Sequence, residues 1–388
     1  MKKFLITIVA LLAISLPMFA GGSSETNETK TDSALKIALV CSGAGQNDNG
    51  YNQSAVEGLK AFADKNQVEY KVVEPSNGVP AALEALADDG YNLIFSLEYD
   101  FEALINGVGG SKAIADMYPN TTFVIFNDNP NVDANNQVIH DNVISVLFDV
   151  HEGSFLAGVL SVEVIENQDK LFGADYNLTS LEDGGRVVGF IGGTNSNGIT
   201  VFSNGYIAGV NYEAAKYNQT YDYYSKYDAG FGDPATGATV AGTFFSNGAN
   251  VVYGCAGVVG DGIDAKAKEL GKLSIQVDAD KDSQQPGHIL TSVLKNTNVP
   301  VSVISQAALD GTISSMENLQ SYSMASGAAG ITDLSVIGSK IEDQATWTKV
   351  LKAVDDAKEK VTSGAIKVTN AQGGDVFNSA DYPNVKIK

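Results

Sequence analysis

The chain has 388 residues, 44% hydrophobic and 18% charged, with 40 glycines. That is the composition of a globular protein long enough for two domains. Its formal net charge of −21 repels nucleic acid and anionic headgroups, and no basic patch with interleaved aromatics argues otherwise.

Residues 1–20 stand apart. Lys2 and Lys3 precede an almost wholly apolar run, Phe4 to Leu16, and Pro17-Met18-Phe19-Ala20 leads into Gly21-Gly22. This reads as a secretory signal peptide, too short to span a membrane comfortably. Residues 21–34 are polar and read as a flexible tether. Folded structure is expected from about Leu35.

Leu35 to Cys41 is an apolar run that predicts a buried strand. Ser42-Gly43-Ala44-Gly45 makes a loop, and Asp48, Asn49 and Asn52 crowd the start of a helix with Ala55, Val56, Leu59, Phe62 and Ala63 on one face. In open α/β sheets ligands sit outside the carboxyl ends of such strands. The loop offers a carboxylate, amides and the Tyr51 ring but no phosphate signature, which suits a neutral, polar, flat ligand.

The alternation continues with strands at Tyr70–Val73, Tyr91–Leu97, Thr121–Asn127 and Val143–Val150. Helices fall between them at Val79–Ala87 and over most of Phe101–Met117. It then restarts. A helix at Phe155–Ile165 precedes strands at Arg186–Gly193, Ala249–Cys255 and Leu273–Asp278. Helices follow at Val201–Lys216, Asp261–Leu270 and Ala345–Val361. The expectation is α/β, with two doubly wound parallel-sheet lobes around a hinged cleft. Crossings are expected near Val150, His288 and Ser321. That gives lobe one as 35–150 with 288–320, and lobe two as 151–287 with 321–388.

Cys41 and Cys255 show neither CxxC nor zinc spacing. Both end apolar strands and are expected as buried thiols. Asp278 to Asp282 departs from a calcium loop, since Ser283 and Ile289 stand where such a loop needs Gly and Glu. There is no G-x-S-x-G elbow, no G-x-G-x-x-G fingerprint and no Walker A loop, so neither an enzyme nor a cofactor is expected.

Asp48-Asn49-Gly50-Tyr51-Asn52-Gln53-Ser54 resembles the Asp-x-Gly-aromatic-Asn stretch of the basic membrane protein family. Later stretches match the family in order: His151-Glu152-Gly153-Ser154-Phe155-Leu156-Ala157-Gly158, then Gly192-Gly193 with Phe202-Ser203-Asn204-Gly205-Tyr206-Ile207-Ala208-Gly209, then Gly254 to Gly262, Val277-Asp278-Ala279-Asp280 and Thr291-Ser292-Val293-Leu294-Lys295. Family members are exported substrate-binding proteins of ABC transporters with a type I periplasmic-binding-protein fold. Several are purine nucleoside receptors. The family's lipid-modified Cys has no counterpart here, because Gly21 and Gly22 occupy its place.

The resemblance implies a nucleoside ligand, purine by preference, a membrane permease as partner, and a monomer exported to the periplasm or the outer face of the plasma membrane. Tyr51 and Phe202 would stack the base, at roughly 1–3 kcal/mol per base. On spacing alone, Phe202 reads as core. Asp48, Asn52 and either Asn127 or Asp128 would meet the base edge, although helix capping is the competing role for Asp48 and Asn52. Asp278 and Lys295 match the family's ribose-binding pair, where an ordinary lysine would be solvated. Gly254, Gly257 and Gly260 would let backbone approach the ligand. Glu98 and Asp100, flanking Tyr99, either rim the cleft or are simply solvated. The alternative ligand is a sugar or a signal molecule on the same fold.

Overall fold

The computed structural model describes residues 34–388. The expected signal peptide and all but the last residue of the expected tether lie outside the described residues.

Thirteen strands are described: β1 (Lys36–Val40), β2 (Glu69–Val73), β3 (Leu93–Ser96), β4 (Thr122–Phe126), β5 (Val143–Phe148), β6 (Val187–Gly192), β7 (Tyr221–Lys226), β8 (Val251–Cys255), β9 (Leu273–Asp278), β10 (Ile289–Lys295), β11 (Leu319–Tyr322), β12 (Ala329–Ile331) and β13 (Val385–Ile387). They form two sheets, in the orders β11-β5-β4-β3-β1-β2 and β12-β10-β9-β8-β6-β7-β13. Every pairing is parallel except that of β10 with β12. The central strands β3, β5, β6 and β8 are buried at every residue. This is why they read as unbroken apolar runs: helices cover both faces of a parallel sheet.

The chain passes from the first sheet to the second just after β5. It returns after β10 and crosses again after β11. The expected boundary at residue 288 therefore falls too early. β10, residues Ile289–Lys295, pairs in register with β9 and belongs to the second sheet. Only the helix Asn298–Leu309 goes back to the first, where Asn298 packs against Gly58 and hydrogen bonds Ser54.

The stretch Phe101–Met117 is not mostly helical. Two four-residue turns, Glu102–Ile105 and Ile114–Met117, flank Gly107, Gly109 and Gly110, whose φ angles are 73°, 65° and 85°. Left-handed backbone at three positions ends any helix there.

Two long helices, Val150–Glu166 and Asn197–Lys216, cross tightly in the second lobe. A Cβ on Gly158 would lie 2.5 Å from the carbonyl of Tyr206. Cβ atoms on Gly205 and Gly209 would run into the carbonyls of His151 and Phe155. The glycines in the two Gly-rich helical motifs thus set the closeness of this crossing, and with it the position of Phe202. Ser161 and Tyr206 share a hydrogen bond across it at 2.9 Å.

A further helix, Pro234–Ser246, carries Asp233 at its N-cap, accepting from the Ala235 N–H at 3.0 Å and from Thr236 Oγ1 at 2.7 Å. Cys41 and Cys255 are both buried and unpaired.

Candidate ligand cleft

The two sheets meet over the ends of their strands, and one nitrogen marks the point. Lys295 closes β10, and its Nζ lies 5.0 Å from the ring centroid of Tyr51, 5.3 Å from that of Phe148 and 5.8 Å from that of Phe202. Tyr51 and Phe148 come from the first lobe, Phe202 from the second. The pairs are cation–π contacts, each worth about 0.5–2 kcal/mol depending on desolvation. Lys295 is only 7% exposed, and burial pushes its ammonium below the usual lysine range, against the pull of Asp278 and Cys255.

Asp278 ends β9 with φ 74°, and Asn127 follows β4 with φ 71°. Left-handed backbone at a non-glycine residue costs of order 1 kcal/mol or more and concentrates at functional sites. Here one such turn sits at a strand end in each lobe. Burial raises the Asp278 carboxyl, while Lys295 and Lys281 draw it down. Neither Asp278 nor Lys295 forms a side-chain hydrogen bond with any described residue, and no ion pair joins them. Two opposite charges thus share a desolvated space without touching.

Tyr51 is held rigidly. Its hydroxyl donates to the carbonyl of Leu97 at 3.2 Å and accepts from Asn127 Nδ2 at 2.7 Å. Asn127 Oδ1 is buried and has no partner. An unsatisfied buried acceptor costs roughly 1–3 kcal/mol, so this oxygen is poised for an N–H. Asp128 is exposed and caps its own turn through the Asn129 N–H at 2.8 Å. Of that pair, Asn127 is the residue that joins the rings.

Asp48 and Asn52 are occupied by the loop itself. The Asp48 carboxylate accepts from the backbone N–H groups of Gly50, Asn52 and Gln53 at 3.0, 2.9 and 3.0 Å, which is helix capping. Asn52 is fully buried; its Oδ1 accepts from the Ser42 N–H at 2.9 Å, and its Nδ2 donates to Ser42 Oγ and the Gly45 carbonyl at 2.9 Å each. Asp48 thus caps the helix start while also acting on Asp278, and Asn52 pins the Ser42–Gly45 loop.

Gly257 has φ 55°, and a Cβ there would sit 3.0 Å from the Phe231 carbonyl. A Cβ on Gly254 would crowd Ile263 at 2.7 Å, and one on Gly260 would crowd Gln276 at 2.8 Å. These glycines serve the packing of the end of β8 and the turn that follows it.

Phe148, Tyr99 and Gln372 complete the cleft, and sequence reasoning missed them as contributors. Phe148 was hidden as the last apolar residue of a buried strand. Tyr99 reaches across the lobes, its hydroxyl 3.4 Å from where a Cβ on Gly198 would lie. Gln372 Nε2 donates to the Asn127 carbonyl at 2.9 Å, although it lies 245 residues away. Glu98 accepts from the Gly43 N–H and so braces the first loop. A pocket of about 280 Å³ beside Asn127 is lined by Asp128, Leu147, Asn197 and Gln372. A larger one of about 520 Å³ lies outside the rings, among Asn204, Tyr227 and Phe377. Among the described residues, no three His, Cys, Asp or Glu side chains are grouped to hold a metal ion.

Residues 34–371 match the family model described as ABC transporter substrate-binding protein PnrA-like. The chain is 29% identical to the ABC transporter nucleoside-binding protein BmpA of Lactococcus lactis over 95% of its length and 99% of that protein's. It is 27% identical to basic membrane protein A of Borreliella afzelii, over 76% of this chain and 82% of that one. In fold, it is similar to an ABC transporter solute-binding protein of Aeropyrum pernix K1, with a TM-score of 0.69 at 20% identity, covering 87% of this chain and 93% of that one.

Proposed function

Because the chain belongs to the family of PnrA-like ABC transporter substrate-binding proteins, we propose that it captures a nucleoside, purine by preference, in the cleft and presents it to a membrane permease. The observation that carries this is the convergence of Tyr51, Phe148 and Phe202 on one point, with an unpaired carboxylate and ammonium beside them. Flat rings bind a flat heterocycle by stacking, and such stacking tolerates any base. The Lactococcus relative's name points the same way.

In this reading the base enters against the three rings and displaces the Lys295 ammonium toward the sugar. Asn127 Oδ1, buried and unpartnered, accepts an N–H from the base edge. Asp278 accepts from vicinal ribose hydroxyls, and Lys295 donates to the same oxygens. No bond is broken. The ligand bridges residues of both lobes, so its binding energy favours the closed arrangement over an open one. The closed pair of lobes is what docks on the permease. The protein works outside the cytoplasmic membrane as a monomer. Its leader supports export, and no described helix is long and apolar enough to cross a membrane.

Thermal melting of ligand-stripped protein with nucleosides, free bases and sugars tests this. Ligand at a hundredfold excess over Kd adds about 2.7 kcal/mol, a shift of several degrees. Purine nucleosides are expected to shift Tm, whereas ribose is not. A shift with sugars alone would overturn the nucleoside reading.

A further inference from the structure

Lys281 is 4% exposed, yet its ammonium forms no ion pair or hydrogen bond with any described residue. It sits in the loop after β9, three residues past Asp278. The loop is fixed in place. The Lys281 N–H donates to Ser292 Oγ at 3.0 Å, and the next residue, Asp282, accepts from Ser292 Oγ at 2.7 Å and Thr332 Oγ1 at 2.6 Å.

The side chain turns back toward the cleft. Its Nζ lies 3.8 Å, and Asp278 Cβ 3.5 Å, from the point a Cβ on Gly50 would occupy. Gly50 belongs to the first lobe, immediately before Tyr51. Lys281 also acts on the Asp278 carboxyl and the Cys255 thiol through space. The Lys281 ammonium clasps no carboxylate among the described residues and is left facing the space beside Gly50 and Asp278.

We infer that Lys281 is a third side chain reading the sugar of the ligand, beside Asp278 and Lys295. The inference rests on the nucleoside reading above. Asp278 accepts hydrogen bonds from two hydroxyls, whose oxygens are then free to accept in turn on either flank. Lys295 serves one flank and Lys281 the other. With Asp48 also acting on Asp278, two ammonium groups stand with two carboxylates, which suits a neutral sugar whose hydroxyls both donate and accept. Removing one hydroxyl from the ligand leaves one ammonium without its acceptor, and a site built to bond a hydroxyl discriminates strongly against its absence. Lys281 is thus a specificity-determining residue for the sugar.

The test is calorimetric titration of the full chain and of K281M and K281R, using whichever of adenosine and guanosine the wild type binds more tightly, with its 2′-, 3′- and 5′-deoxy analogues. K281M keeps the length of the apolar stem and removes the charge. It is expected to weaken the parent nucleoside at least tenfold, and to weaken one deoxy analogue by less than twofold, because that analogue lacks the hydroxyl Lys281 bonds. K281R keeps the charge and is expected to retain part of that discrimination. Equal weakening of all four ligands, or unchanged affinity for the parent nucleoside at unchanged Tm, would overturn the inference while leaving nucleoside binding intact. A wild type that binds no nucleoside would overturn the underlying reading as well.

Discussion

Lys295→Met separates stability from function because its two effects have opposite sign. In the wild type the residue is 7% exposed and its ammonium has no counterion within bonding reach. Its favourable contacts are with the rings of Tyr51, Phe148 and Phe202 at 5.0–5.8 Å, about 0.5–2 kcal/mol each. Against them stands desolvation of an unpaired charge, several kcal/mol. Methionine fills nearly the same volume, keeps sulfur–aromatic contact and removes the charge. The variant is therefore expected to be as stable as the wild type or more stable. Its nucleoside affinity is expected to fall by the loss of charge-assisted hydrogen bonds, about 1.5–3 kcal/mol or roughly 10–100-fold.

The pH dependence adds a check. Burial lowers the Lys295 pKa in the folded state from the usual 10.5. Between that lowered value and 10.5 the unfolded chain holds a proton the native one has released, so native stability rises with pH there. K295M should lack that rise. Urea unfolding across pH, with titration of adenosine or guanosine at pH 7, gives both numbers. A variant that loses stability yet keeps its affinity would refute the reasoning.

Phe148→Leu keeps the core filled but removes a ring. Titration should show nucleoside affinity reduced about 5–100-fold, within the range of base–aromatic stacking, while Tm moves by only a few degrees. Asp264→Asn should flatten the stability profile in acid. Burial raises that carboxyl from 3.8 to about 6, with Gln276 donating to it. The unfolded chain thus ionises first, and the wild type loses about 3 kcal/mol as pH rises from 4 to 6. Urea unfolding at pH 4 and 7 should show the variant gaining by that amount relative to the wild type; parallel profiles would refute it. Gly209→Ala ought to improve helix propensity by about 1 kcal/mol. Its Cβ collides with the Phe155 carbonyl, so a net loss above about 2 kcal/mol is expected, measurable as a fall in Tm.

The layers of this fold are legible in sequence because parallel strands buried on both faces are unbroken apolar runs. β3, β5, β6 and β8 announce themselves in this way. β7, Tyr221–Lys226, does not. It lies next to the edge strand β13 and alternates burial, so half its residues are polar. The helix after Asp233-Pro234 was readable in principle, since an Asn/Asp-type cap followed by Pro is a start signal.

The site divides in the same way. Tyr51, Phe202, Asn127, Asp278 and Lys295 come together around one point. Asp48 is held by backbone N–H groups at the helix start and Asn52 by the Ser42–Gly45 loop before it, so both side chains are already occupied. Spacing could not foresee Gln372, whose contact with Asn127 arises only from the return of the distal chain across the cleft. Phe148 was invisible for the opposite reason: a ring that closes a buried strand beside Lys295 has the same pattern as any core ring.

Lys295 is the last residue of β10, and the chain crosses to the other lobe immediately afterwards. Asn296 donates its backbone N–H to Ala328 at 2.8 Å, and Thr297 Oγ1 bonds the Tyr51 carbonyl at 2.8 Å. The side chain proposed to meet the ligand is therefore mounted beside a crossing between the lobes. A lever pivoted close to where it is pushed moves its far end most. If Lys295 meets the ligand as proposed, a small shift there would be carried to the outer rims of the lobes as a larger one. Whatever reads those rims can distinguish ligands it never touches.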